Sequence, residues 1–588
     1  MISVAYTKNR GSSLLKDLEN PQFCNMDMTQ RYIPIYERFL KLNNTNYNHV
    51  YLEQKHILHH IDRKLTSKTF SVSIQDTETD EIQPNVTMFC KYSPLADPVK
   101  FMIGKYSNGP NLSVLPNLEN SSTCHPLFQD KNNMSYVDGL FTYFSSKTLE
   151  YGFQHGVQYY GSFLGIKREF EFDITDDMEF VTEHPCFFEG LDKEYTINNK
   201  EYQENFQSQT AKNKTKLVFD EPNDTDCVDV LDVEPVCVST QKSMDDNTSN
   251  QRTSELFPLQ EISGCILAEQ ADETLSLISD ETSTCSSRVS ITDDEDDEDD
   301  EDDEDDEDDE DDEDDEEDEV SSTEEQIMTT LFRYPIQTIC MENCKETLDD
   351  YMSSNVIEVD EWRSILFQVV TILTVYQKVF AFTHNDLHTN NIMYVETNQK
   401  HLYYQFQNKI FKVPTFGKIY KLIDFGRAIF RFKGQIFCSN NFAKGEDADT
   451  QYNTEPFFDD SKPRIDPNMS FDLCRLGCSL FDYFIEELEF QDEIYDSNPM
   501  AKMVRDWCLD NKKRNILYKR NGDERYPDFK LYKMIARSVR GNVPKNVMNH
   551  KEFKTYIIYE NIDICKNSSI DPKIIKQCMN IDSYQSMV

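Results

Sequence analysis

No stretch of this 588-residue chain stays apolar for anything near the ~20 residues a membrane span needs, so no membrane-embedded role is expected. The N-terminus, MISVAYTKNRGSSLLKDLE, lacks the long apolar core of an export signal, which points to a cytoplasmic protein. The 16 cysteines include no CxxC pair and no Cys/His cluster of metal-ligand spacing; they read as reduced thiols, and zinc is not expected. Glycine is scarce, 17 in all, with none between Gly11 and Gly104. Positive charge is short as well: 59 Lys and Arg stand against 107 Asp and Glu. That balance excludes direct nucleic-acid binding as the main activity, because phosphates require a basic footprint.

Acidity is abundant and concentrated. Residues 293–319 are Asp or Glu without a break, 27 negative charges, and removing them from the net −48 leaves −21 on the rest. From 200 to 326 the composition collapses into Asn, Thr, Ser, Asp and Glu, too polar to offset the entropy of ordering, so this segment is expected to be a disordered acidic insert. Ser279, Ser290 and Thr292 precede acidic residues there and are candidates for phosphorylation. Basic proteins are the partners such an insert would attract.

Around the insert the chain reads as ordered. Strands are expected at 84–92 (PNVTMFCKY) and 155–166 (HGVQYYGSFLGI), with a helix between them at 136–152, and an amphipathic helix around IPIYERFLKL. After the insert come a strand and a helix start at 332–352. A long helix follows at 359–382, where Trp362, Leu366, Val369, Leu373, Tyr376 and Phe380 recur at steps of three and four. Short strands at 391–395 and 419–423 flank what reads as an inserted hairpin, and helices are expected at 470–488 and 527–539. Strands early and helices late predict an α+β, two-lobed layout.

The chemistry concentrates after the long helix, in AFTHNDLHTNNIMYVET (381–397). His384, Asp386 and Asn391 are spaced H-x-D-x-x-x-x-N, and Asp424, Phe425 and Gly426 follow the apolar strand KLI as D-F-G. A transferred phosphoryl group needs a divalent cation held by carboxylate or amide oxygens, and a carboxylate beside the attacking hydroxyl. An aspartate five residues before an asparagine supplies base and ligand from one loop, and Asp424 brings a second ligand from the next strand. Gly426 is expected to let the chain turn sharply.

On these motifs the chain resembles the eukaryotic-type protein kinase superfamily, over roughly 85–166 and 332–540. The resemblance implies a two-lobed kinase-like fold: an N-terminal extension (1–80), the first part of the small lobe (81–199), the insert (200–326), a strand and hinge (327–346), the large lobe (347–540) and a C-terminal tail (541–588). It makes Asp386 the catalytic base, Asn391 and Asp424 the magnesium ligands, and His384 a support for the loop. TICMENCKETL looks like the hinge, with Met341 as gatekeeper and Glu342 and Cys344 meeting the adenine. DLCRLGCSLF matches the helix whose Asp472 braces the catalytic loop and whose Gly477 permits close helix packing. Lys91 in TMFCKY corresponds to the phosphate-gripping lysine, with Lys105 as a rival, and its acidic partner is expected on the 136–152 helix as Glu150 or Asp138.

The departures are informative. No G-x-G-x-x-G precedes Lys91, and no A-P-E follows D-F-G. His388 stands where typical protein kinases carry lysine, as in haspin-like and small-molecule kinases, and could donate to the γ-phosphate with a charge that varies with pH. These features look most like the divergent serine/threonine kinases of giant DNA viruses, which would place the protein in host cytoplasm or virion. The expected activity is ATP- and Mg²⁺-dependent phosphorylation of protein Ser/Thr hydroxyls. A pseudokinase scaffold and a small-molecule kinase are the alternatives.

Overall fold

Short apolar runs of β-branched and aromatic residues build the first half of the chain. The computed structural model describes residues 4–8, 11, 13–107, 109–119, 122–198, 326–485, 495, 497–560 and 571–588. In it β1 (Met26–Gln30), β2 (His56–Lys64), β3 (Thr69–Asp76) and β4 (Ile82–Pro94) precede helix α1 (Met134–Glu150). Strands β5 (Tyr159–Asp173), β6 (Tyr195–Ile197) and β7 (Met328–Glu342) follow. All seven strands form one sheet, in the order β1-β5-β7-β4-β3-β2 with β6 also paired to β7. Residues read from sequence as an N-terminal extension thus supply β1, β2 and β3. The acidic insert and its Ser/Thr candidates lie outside the described residues, except for Gln326.

The central pairing positions the site. β4 and β7 are antiparallel with Lys91 opposite Ile339 and Phe89 opposite Met341, so these four side chains share one face. Helix α1 packs beside the sheet, its N-terminus capped by Asn133, whose side chain accepts from the Ser135 amide.

The second half is mainly helical. α2 (Leu348–Ser354) opens with a capping box built by Thr347 and Asp350, and α3 (Val359–Phe380) is the long helix. Every member of its apolar stripe is buried. Strands β8 (Ile392–Glu396), β9 (His401–Phe406), β10 (Lys409–Pro414) and β11 (Lys418–Leu422) follow, with β9 and β10 forming the inserted hairpin. Next come β12 (Ile429–Phe432), β13 (Gln435–Cys438), α4 (Phe471–Phe484), α5 (Pro499–Trp507) and α6 (Lys530–Ser538). The tail adds β14 (Ile557–Tyr559) to β10 and β15 (Met579–Asn580) to β9. The architecture is therefore mixed α and β, with a β-rich first part.

One local expectation fails. Around IPIYERFLKL only a five-residue 3₁₀ turn forms, Pro34–Arg38, its N-terminal Pro34, Ile35 and Tyr36 all buried. Three adjacent buried residues suit a packed turn rather than one stripe of an α-helix. Among the described residues no helix is long and apolar enough to cross a membrane.

Candidate functional site

Helix α3 ends because Ala381 takes a left-handed conformation (φ 47°), and the chain passes into the polar loop. Asn385 is also left-handed, at φ 64°, a conformation asparagine tolerates better than most residues. The loop is held from beneath by Asp472 of α4. Its carboxylate accepts from the backbone amides of His384 (2.9 and 3.0 Å) and Asn385 (3.0 Å) and is completely buried. Burial pushes the Asp472 pKa up, and those amides and His384 work against it. Asn385 donates to the Arg427 carbonyl (2.9 Å) and accepts from the Tyr452 hydroxyl (2.7 Å).

His384 reaches the strand before D-F-G, donating from Nε2 to the Ile423 carbonyl at 2.9 Å. The Ile423 amide in turn donates to the Asn391 carbonyl at 3.0 Å. Loop and strand are thereby stitched together at Ile423, the residue before Asp424. Asn391 spends its side-chain amide on the Asp386 carbonyl (2.8 Å) and on His388 Nε2 (3.1 Å). Its carbonyl oxygen remains the atom suited to a metal.

Asp424 is the left-handed residue of the D-F-G turn, at φ 60°. Gly426 lies in the turn closed by the Ala428 amide on the Phe425 carbonyl (3.0 Å), without a positive φ. A Cβ there would lie 3.0 Å from Met134 Cγ of α1, so any larger residue needs that methionine side chain to give way. Lys91 Nζ lies 2.7 Å from Asp424 Oδ1 and 2.7 Å from Asp138 Oδ2 of α1. Asp138 Oδ1 also accepts from the Phe425 amide at 2.9 Å, so one buried carboxylate fixes both lysine and D-F-G backbone. Of the two candidate partners, Asp138 holds Lys91. Glu150 lies twelve residues further on, roughly 18 Å along the helix, and pairs with Lys147 at 2.6 Å. Lys105 sits in a turn after Met102, not on the sheet.

Charge in this triad is mutually set. Desolvation raises Asp138, with Lys91 opposing, and its pKa stays above the ordinary carboxylate range. Desolvation also raises Asp424, but Lys91 outweighs it and the pKa is lowered. Lys91 is driven up by the two carboxylates in spite of burial and remains an ammonium. Phe425 is buried against Phe141 of α1, Phe382 and His384, which locks the turn.

Asp386 is partly open to solvent and carries an unexpected partner. The Tyr532 hydroxyl of α6 donates to Asp386 Oδ1 at 2.9 Å, and Arg475 Nε of α4 donates to the Tyr532 oxygen, also at 2.9 Å. Arg427 Nη1 lies 4.0 Å from the same Asp386 oxygen. The pH dependence expected of the His388 charge is displaced to the acid side. Burial lowers its pKa, Asp386 opposing, and Nε2 accepts from Asn391, so the ring is neutral near pH 7.

Met341 and Glu342 end β7, and Cys344 follows in the link to α2. Glu342 accepts from the Gln158 amide (2.7 Å) and from the nearly buried Lys421 Nζ (2.6 Å). Burial pushes the Cys344 thiol up to about 12, so it is a packed, unreactive group. Gly477 faces α5, where a Cβ would meet Cys508 Sγ at 3.0 Å and Trp507 Cβ at 3.1 Å.

Sequence reasoning missed Asn385, Lys421, Arg475 and Tyr532. Arg475 had a signal, lying one helical turn beyond Asp472 on the same face. Tyr532, 146 residues from Asp386, had none. Among the described residues no group of three or more His, Cys, Asp or Glu could hold a metal alone. The donor set of one carboxylate and one amide suits Mg²⁺ instead, which keeps waters and takes further oxygens from substrate phosphates. No protein-family model matches the chain, and no curated protein matches it.

Proposed function

We propose that this chain is an ATP- and magnesium-dependent phosphotransferase acting on Ser/Thr hydroxyls of proteins, on a two-lobed protein-kinase-like fold. One observation carries the reading: Lys91 on a strand, Asp138 on a helix and Asp424 of D-F-G meet as an ion triad, and Ile423, the residue before Asp424, is hydrogen-bonded to the loop bearing Asp386 and Asn391. Five chemically matched side chains from four separate segments of the sequence converge, as phosphoryl transfer requires.

Asp386 orients the acceptor hydroxyl and takes its proton, and Lys91 steadies the α- and β-phosphates. Asn391 Oδ1 and the Asp424 carboxylate would hold Mg²⁺, whose chemistry is to neutralise charge on the β- and γ-phosphates. Asp138 replaces the glutamate usual in the family. His388, a neutral imidazole, acts as a hydrogen-bonding support for Asn391. Met341, Glu342 and Cys344 line the edge where adenine binds. Strands β2 and β3, beside β4, meet in a tight glycine-free turn at 65–68, so side chains rather than crowding amides cover the phosphates. The acidic insert serves as a docking arm for basic proteins.

The assay is transfer of labelled γ-phosphate by the full chain with Mg²⁺ to mixed proteins and to small alcohols. Proteins become labelled, and Asp386→Asn abolishes it. Label on alcohols alone would identify a small-molecule kinase; no turnover would identify a scaffold.

A further inference from the structure

The phenol of Tyr532 occupies the place a substrate hydroxyl needs. It donates to Asp386 Oδ1 at 2.9 Å, the interaction the candidate base must make with its acceptor. Two cations surround it. Arg475 Nε donates to its oxygen and the Arg475 guanidinium lies 5.1 Å from the ring centroid; the Arg427 guanidinium lies 5.8 Å from it. The ring is clamped in this pose by Phe529, stacked at 5.3 Å, and by Phe471 at 6.3 Å. Burial and Asp386 raise the phenol's pKa, so its proton stays on oxygen until it is removed. Tyr532 and Arg427 also form part of the wall of a cavity of about 610 Å³, while Asp386 does not reach that wall. The phenol stands between this cavity and the base.

We propose that Tyr532 is the chain's own first phosphoacceptor, modified in cis, and that this modification uncovers Asp386 for other substrates. The inference rests on the phosphotransferase reading. In the step, Tyr532 Oη forms a bond to the γ-phosphorus of ATP. The bond from that phosphorus to the β–γ bridging oxygen breaks, ADP leaves with the electron pair, and the phenolic proton passes to Asp386. The product carries a dianion beside the Asp386 carboxylate and two guanidiniums. Like-charge repulsion expels it from the base, while Arg475 and Arg427 are placed to hold it aside. The hydroxyl that blocks the site is thus removed by the site's own chemistry.

The test uses the full chain. Incubated alone with Mg²⁺ and ATP, it gains phosphate on Tyr532, read by peptide mass mapping, at a rate unchanged by tenfold dilution. Phosphorylation of an added protein then starts after a lag that preincubation with ATP removes, and Tyr532→Phe shows no lag. Without nucleotide, protein made with phosphotyrosine encoded at position 532 exchanges its 530–538 amides faster than unmodified protein. Label on added protein with none on Tyr532 overturns the inference and leaves the phosphotransferase reading intact, whereas absence of any label overturns both. A rate that falls tenfold on dilution, a Tyr532→Phe variant that no longer labels proteins, or unchanged amide exchange also overturns it.

Discussion

At the residue scale, charge is shared among Lys91, Asp138 and Asp424. Asp138→Ala leaves Lys91 with Asp424 alone and frees the Phe425 amide. Misplacing a positioned phosphate ligand costs on the order of 10²-fold in rate, so kcat/KM for protein phosphorylation should fall by about that factor. Steady-state kinetics on the variant checks this. Stability also depends on pH through a buried histidine. His155 is fully buried, donating from Nδ1 to the Tyr420 carbonyl (2.7 Å) and accepting the Tyr404 hydroxyl at Nε2 (2.8 Å), and burial lowers its pKa to about 4. The unfolded imidazole, near 6.5, binds a proton the folded one refuses until about pH 4. Stability is therefore lost as pH falls through this window, by up to roughly 3 kcal/mol. Denaturant unfolding of wild type and His155→Asn between pH 7 and 4 should show the wild type losing more. Taking the difference isolates His155 from carboxylates such as Asp138, whose raised pKa works in the opposite sense. The loop and D-F-G residues were legible because their spacing is local. The choice between Asp138 and Glu150 was not, because helix register against a sheet is set by packing that no short motif encodes.

At the element scale, helix α3 was read almost to its ends from its apolar stripe, whereas its stop signal was hidden. Ala381 terminates it with φ 47°, a position that favours glycine. Ala381→Gly should stabilise the fold by about 1 kcal/mol, measured as a higher denaturant midpoint with unchanged slope. Gly156 is the opposite case. A Cβ there would lie 2.3 Å from the Ser145 carbonyl oxygen of α1, and its own carbonyl accepts Lys421 Nζ at 2.6 Å. Backbone has to move to admit even alanine, so Gly156→Ala should destabilise by about 3 kcal/mol, seen in the same titration. Sequence pattern marked a glycine-bounded strand here; the contact that demands glycine involves a helix carbonyl and carries no sequence signature.

At the scale of the whole molecule, the early-strand, late-helix composition foretold a mixed α and β architecture, but not that residues 26–30 and 56–76 join the strand bearing Lys91 in one sheet. Long-range pairing of strands depends on register, which alternation alone leaves open. The tail was equally opaque. β15 pairs with β9, and Met587 links the α3 end to the β12–β13 turn through the Val379 carbonyl and the Lys433 amide, each at 2.7 Å. Deleting residues 579–588 should lower the thermal midpoint by several degrees, about 2–4 °C per kcal/mol lost, in a calorimetric scan.

The central claim is that Lys91, Asn391 and Asp424 form one magnesium-nucleotide site. Calorimetric titration of ATP into the full chain, with Mg²⁺ and with EDTA, tests it directly when wild type and Asp424→Asn are compared. Wild-type binding should strengthen with Mg²⁺, and Asp424→Asn should lose that dependence. Equal affinity of the two proteins under both conditions, or no binding by wild type, would contradict it.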